Sequence, residues 1–304
     1  MPEPAPAPAA PLSKGAVFRR RLLSFTVLWG IVLGSLFSGN KVLSDYVFLL
    51  IVAFLAVTGL QEFYGMVSKL GHACYAKAGM FGGLLLLMAT FGYISGEFGK
   101  SAGPSRVNDF ETSFFILFVL GLCIRQFVSR NTTTGIVAIS TTLFGLMYVP
   151  WLLNFIQKIN FFGQGVDGHF YVLYFIVVTK LSDCGAYAVG SLIGKHKMIP
   201  RISPGKTWEG FGGAVVVSTA ASVIFARVAA THLAGMTTTH AIILGVILSV
   251  AAVVGDLIES LFKREAGLKD SGRLFPGIGG ILDLLDSLLF NAPLMYLYLR
   301  HVLT

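Results

Sequence analysis

The strongest constraint on this chain is a succession of apolar runs, each close to the roughly 20 residues an α-helix needs to cross a bilayer. Nine such runs can be marked, near residues 22–38, 46–67, 79–95, 110–128, 134–154, 169–194, 211–230, 239–262 and 280–300. Charged residues make up 12% of the chain and hydrophobic residues 55%, whereas water-soluble domains carry about 25% charged residues. The reading is an all-α, polytopic transmembrane helical bundle of nine spans, with connectors too short to form a separate soluble domain.

Three regions follow. Residues 1–21 open with a Pro- and Ala-rich tail, too poor in large apolar residues to pack, and are expected to be disordered and cytoplasmic. Residues 22–168 hold the N-terminal spans, and residues 169–304 hold the charged positions and basic loops of a catalytic region. Arg19, Arg20 and Arg21 ahead of the first run imitate a secretory signal, but the long leader and the lack of an Ala-x-Ala site favour a retained anchor. Cys74, Cys123 and Cys184 form no CxxC pair, so neither a disulfide framework nor a zinc site is indicated.

The net charge of +8 does not point to nucleic acid, because the basic residues are dispersed among the connectors. With the N-terminus inside, sixteen of the 23 Lys and Arg fall in the tail and inner loops and five outside, Lys158 among the latter. That bias predicts a cytoplasmic tail and cytoplasmic loops at 195–210 and 263–279, as in a multi-pass protein of the cell (inner) membrane.

Charges within a bilayer need partners or a function. Asp183, Asp256, Glu259, Asp283 and Asp286 fall within spans, with Glu62 near an inner end, and only Lys180 and Arg227 oppose them. Asp256 and Asp283 therefore lack a cation of the membrane interior, and a shared metal ion is the economical expectation. Asp256, Glu259 and Ser260 share one helix face by their i, i+3, i+4 spacing; Asp283, Asp286 and Ser287 repeat it, with Asn291 a turn further on. Oxygen-only ligands suit Mg²⁺. The alternative for such polar stripes is interhelical glue.

Residues 193–210 read IGKHKMIPRISPGKTWEG. Gly205-Lys206-Thr207 imitates the end of a Walker loop, but Pro200 stands where that motif needs glycine, and a Walker loop follows a strand rather than a membrane helix. What remains is a Pro- and Gly-shaped loop whose cations, with Ser203 and Thr207, suit polyphosphate. A second basic loop carries Lys263, Arg264, Lys269 and Arg273, followed by the turn Pro276-Gly277-Ile278-Gly279-Gly280. That turn is expected to let backbone approach a ligand, and the helix N-terminus after it to favour a phosphate.

At these residues the chain resembles the phosphatidate cytidylyltransferase (CDP-diacylglycerol synthase) family, over roughly residues 169–300. The family's Ser-x-x-Lys-Arg, Lys-Asp, Pro-Gly-His-Gly-Gly and Leu-Asp-Arg-x-Asp signature is matched at Ser260, Lys263, Arg264, Lys269, Asp270, Pro276, Gly277, Gly279, Gly280, Leu282, Asp283 and Asp286. Its Ser-Pro-x-Lys-Thr-x-Glu-Gly block is matched at Ser203, Pro204, Lys206, Thr207, Glu209 and Gly210. The Asp-x-x-Ala-Tyr element falls on Asp183, Ala186 and Tyr187, and the Gly-Asp…Glu-Ser element on Gly255, Asp256, Glu259 and Ser260. Ile278 and Leu284 depart from the pattern, standing where the family has His and Arg.

The resemblance implies transfer of the cytidylyl group of CTP to phosphatidic acid, giving CDP-diacylglycerol and pyrophosphate with Mg²⁺, in phospholipid biosynthesis. It implies Asp256, Asp283, Lys263 and Arg264 as catalytic groups and Asp256, Asp283 and Asp286 as metal ligands. Substrate contacts fall to Ser203, Lys206, Thr207, Lys269, Asp270, Arg273 and Asp183. A CTP-dependent polyprenol or phytol kinase and a cation transporter are the rival readings. Whether the chain works as a homodimer is left open.

Overall fold

A computed structural model describes residues 26–303, except 28, 38, 98–103, 130–132, 163–166, 273, 275–278 and the side chains of 104 and 105. Among these residues eight helices are long and apolar enough to cross a membrane. They match eight of the nine expected spans. The remaining one, 22–38, lies partly outside the described residues, within which 29–37 is helical.

In chain order the helices are α1 (Lys41–Lys69), α2 (Ala76–Ser95), α3 (Pro104–Val128) and α4 (Gly135–Leu146), the last continuing through a π-turn (Met147–Trp151) into α5 (Leu152–Asn160). Then come α6 (Gly168–Ile193), a hairpin of β1 (Lys197–Ile199) and β2 (Ser203–Thr207), α7 (Trp208–Val228), α8 (Thr238–Glu265) and α9 (Ile281–Tyr298). The π-turn carries Pro150, which lacks the amide an α-helix would use there.

Helices α6 to α9 pack side by side in chain order, and α9 also lies against α5 and α1. The centre is closed by buried Leu60, Tyr171, Tyr174, Phe175, Leu248, Leu282 and Leu289. Large apolar side chains also cover the outside, among them Leu50, Phe81, Leu117, Phe127, Ile224 and Val228. Such a surface would drive aggregation in water and is at home in hydrocarbon. Buried hydroxyl and amide groups tie the helices together: Asn291 Nδ2 donates to Thr179 Oγ1 (2.8 Å) and the Leu248 carbonyl (2.9 Å), and Ser218 Oγ to the Val178 carbonyl (3.2 Å). At Asn291 the glue reading of the α9 polar stripe applies.

The two basic loops gather at one end of the bundle. Arg264, at the end of α8, donates from Nε to the Ile202 carbonyl in the hairpin (3.1 Å), and Lys69 shares a cavity wall with Leu268. The other end holds the Asp167–His232 contact (3.1 Å) and the His240–Tyr298 hydrogen bond (2.8 Å).

Two features depart from the sequence reading. The 193–210 loop is an antiparallel hairpin, Lys197 opposite Thr207 and Ile199 opposite Ser203. Lys158, counted as an outer-loop cation, is instead buried within the α4–α5 span, where it meets the equally buried Glu111 of α3 at 2.6 Å. Asn154 Nδ2 also donates to Glu111 (2.7 Å). Apolar runs mark where a span can begin and end, and a charge near either margin reads as outside it.

Candidate active site

The site is assembled at the basic-loop end from α6, the hairpin, α8 and α9. Glu209, in the first turn of α7, accepts from the Lys195 and His196 amides (3.1 and 3.2 Å), which ties the hairpin's start to the helix. Thr207 caps α7 by accepting from the Gly210 amide (3.1 Å). The hairpin is thus held at both ends, and a cavity of about 340 Å³ opens between it, α6, α7 and α8. Its wall includes Asp183, Tyr187, Ser203, Lys206, Thr207, Phe211 and Asp256.

On α8 and α9 the carboxylates of Asp256, Glu259 and Asp286 converge, with one oxygen of each within 4.8 Å of the others. Gly255 makes this approach feasible: a methyl group there would collide with the Asp286 carbonyl at 2.5 Å, so only glycine lets α9 pack this close. Glu259 is 0% exposed, and its Oε1 has no hydrogen-bond donor. A buried carboxylate oxygen without a donor is costly unless a cation serves it. Three carboxylates with no nitrogen or sulfur among them form a donor set for a hard divalent cation.

Asp256 and Asp286, two of the three metal ligands that the resemblance implies, therefore meet, but Glu259 completes the cluster. Asp283 stands apart. Its Oδ1 meets Lys263 Nζ at 2.5 Å, and its Oδ2 accepts from the amides of Gly280 (2.8 Å) and Ser271 (2.9 Å). Lys263 also contacts Glu259, linking Asp283 to the cluster through one ammonium group. The expected lack of cations beside Asp256 and Asp283 does not hold, since Asp256 has Lys206 at 2.7 Å and Asp283 has Lys263. The hairpin folds Lys206 back over α8, a contact that span boundaries cannot reveal.

Asp183 accepts from Ser287 Oγ (3.1 Å) and lies 3.4 Å from Lys180 Nζ. Lys180 also donates to Ser287 Oγ (3.1 Å) and to the carbonyl of Leu284 (2.9 Å), the position at which the family's arginine is missing. Arg264 spends its contacts on the Ile202 and Leu268 carbonyls, so it braces the hairpin against the second loop. Lys269 and Asp270 are exposed in that loop, and Arg273 and Ile278 lie outside the described residues.

The N-terminus of α9 is not free for a phosphate, contrary to expectation. Glu62 of α1 accepts from the amides of Ile281 and Leu282, both at 2.9 Å, while Asp283 takes the Gly280 amide. Glu62 is the acid that the sequence places near an inner end of a span. The signal for it was an unpaired acid at the inner end of a span, with no partner nearby in sequence.

The cytidylyltransferase family matches residues 19–302. The phosphatidate cytidylyltransferase of Mycobacterium bovis is 31% identical over 286 residues, covering 92% of this chain and 89% of that protein. The Staphylococcus haemolyticus protein of the same name is 31% identical over 280 residues, covering 92% and 98%. That of Mycobacterium leprae is 42% identical over 153 residues, or 50% and 47% of the two chains. With eight helices long and apolar enough to cross a membrane among the described residues, and a match over almost its full length, this chain belongs to the cytidylyltransferase family.

Proposed function

We propose that this protein is a phosphatidate cytidylyltransferase, converting CTP and phosphatidate to CDP-diacylglycerol and pyrophosphate at the cytoplasmic face of the cell membrane. The observation that carries the reading is the Asp256–Glu259–Asp286 oxygen cluster, buried at Glu259, beside a cavity walled by Lys206, Ser203 and Thr207. On this reading a cation-binding group and phosphate-binding groups stand side by side, where a soluble nucleotide and a membrane lipid can both arrive. Two relatives of that name that align with most of this chain support the choice of substrates.

In the reaction an oxygen of the lipid phosphate forms a bond to the α-phosphorus of CTP, and the bond from that phosphorus to the bridging oxygen breaks, releasing pyrophosphate. The nucleophile is already anionic, so the protein's task is positioning and charge neutralisation. Lys206 leaves Asp256 for the nucleotide phosphates, with Ser203 beside it on β2. Lys263, fixed between Glu259 and Asp283, presents a held positive charge next to the cluster. Asp256, Glu259 and Asp286 would hold Mg²⁺, which when bound neutralises charge on the phosphates. Asp283 serves through Lys263.

The cytoplasmic orientation rests on the excess of Lys and Arg at the hairpin end. The deciding experiment is phosphatidate-dependent CTP turnover by the purified protein in detergent, with products identified. CDP-diacylglycerol with pyrophosphate is expected. CDP with a phosphorylated polyprenol would identify a lipid kinase, and ion flux without CTP consumption a transporter.

A further inference from the structure

The groups assigned to the reaction all come from the C-terminal half, yet one carboxylate of α1 reaches into their support. Glu62 Oε1 accepts from the Ile281 amide and Oε2 from the Leu282 amide, each at 2.9 Å; Ser271 Oγ lies 2.8 Å from Oε2. Ser271 Oγ also lies 2.9 Å from Asp283 Oδ2, so one hydroxyl bridges the carboxylate of α1 and that of α9. The first amides of a helix have no partner within the helix and carry its positive end. Here they are met by two carboxylates, one supplied from a different helix.

The surrounding turn is shaped to this side chain. A methyl group at either Gly272 or Gly280 would collide with the Glu62 carboxylate. Gly280, one of the glycines that the sequence suggested for ligand approach, thus makes room for Glu62, as does Gly272. From there the contacts run without a gap: Glu62 to Ser271, Ser271 to Asp283, Asp283 to Lys263, and Lys263 to Glu259 of the cation cluster. Asp286 lies one turn along the same helix whose first turn Glu62 holds.

We infer that Glu62 is a positioning residue of the reaction: its carboxylate fixes the first turn of α9, and through it the placement of Asp283, Lys263 and Asp286. The inference rests on the proposed function for its catalytic meaning, and on the contacts alone for its structural one. Groups that orient the holders of a cation commonly matter about 10- to 100-fold in activity or metal affinity. CTP binding should be little affected, because the nucleotide cavity is walled by the hairpin, α6, α7 and α8 and not by the first turn of α9.

The test compares full-length wild type, Glu62→Gln, Glu62→Ala and Ser271→Ala. Glu111→Gln, which disturbs the buried ion pair at the far end of the bundle, is the control for general loosening. Glutamine keeps the size of Glu62 but turns an NH₂ group toward donors, so at least one contact is lost. Wild-type turnover is measured first, since its absence would refute the functional reading by itself. For folded, monodisperse Glu62→Gln we expect kcat to fall about 10- to 100-fold with KM for CTP within about threefold, and half-saturating Mg²⁺ to rise. Amide exchange in a peptide covering 280–284 should quicken in Glu62→Gln and not in Glu111→Gln, a readout independent of turnover. Should the Glu62 variants not fold, Ser271→Ala, which cuts only the hydroxyl bridge, should lower kcat in the same direction. Unchanged kcat in the folded fraction, or exchange at 280–284 no faster than in wild type, would overturn the proposal.

Discussion

Lys206 on the hairpin and Asp256 on α8 form an ion pair of 2.7 Å, so the lysine proposed to bind phosphate and the carboxylate proposed to bind the cation cover one another. Each is half-buried, and each is the natural partner of one component of a metal–nucleotide complex. Binding that complex exchanges one charge pair for two. The energetic cost of separating Lys206 from Asp256 is therefore offset within the site.

Lys206→Ala is expected to raise KM for CTP and lower kcat/KM roughly 10- to 150-fold, since a charge-assisted contact contributes about 1.5–3 kcal/mol. Folding should be little affected, because Lys206 makes its contacts at the cavity wall, with Asp256 and the Val253 carbonyl, and not in the apolar core. Steady-state kinetics on detergent-purified protein measures this. A loss below twofold would make Lys206 an ordinary inner-loop cation.

Asp283→Asn and Asp286→Asn should separate by their response to Mg²⁺. Both are expected to lose at least about a hundredfold in turnover. Asp286 belongs to the oxygen cluster, so raising Mg²⁺ should recover part of its activity. Asp283 holds Lys263 and the amides of Ser271 and Gly280, so added Mg²⁺ should not help. Equal rescue of the two would return Asp283 to the metal site. Asp167→Asn, at the opposite end of the bundle, should be silent.

Lys180→Met removes a cation that contacts Asp183, Ser287 and the Leu284 carbonyl. The neighbouring cluster then becomes more negative, and a unit charge at this range in a partly buried site is felt at the level of about tenfold in affinity. The sign is definite: half-saturating Mg²⁺ should fall even as turnover falls. A rise would show that Lys180 acts by shape and not by charge.

Cysteines introduced at Gly205 and Glu265 should be labelled only from the cytoplasmic side of intact cells. Position 272 is unsuitable for this test because its side chain would strike Glu62. Labelling of either cysteine from outside would refute the orientation.

The bundle was legible in the sequence because lipid imposes a length and a composition on every span. The site's chemistry was legible in part. Helical spacing put Asp256 and Glu259 on one face, and likewise Asp283 and Asp286, but spacing does not tell which members of two faces will meet. Asp283 lies three residues after Gly280, in the first turn of α9, where a carboxylate folds back onto the amide at the helix start. That position carried the signal that it would leave the stripe. Glu62, the hairpin's fold over α8 and the Glu111–Lys158 pair depend on contacts between segments far apart in the chain, which periodicity does not contain.

The Glu111–Lys158 pair also bears on how the protein is made. Its two charges lie on α3 and α5, so the carboxylate is synthesised and delivered to the membrane before its lysine exists. Glu111 lies about two turns from the start of α3 at Pro104, near enough to the edge of the bilayer to wait at the water interface. Helix α3 is then expected to settle to its final depth once α5 has emerged and the charges have met. Lys158→Ala should accordingly yield a chain that is translated in full but retains α3 at a shallower depth, and is cleared by membrane proteases. A shallower α3 in that variant would make the pair a checkpoint in biogenesis, set at the end of the bundle opposite the hairpin.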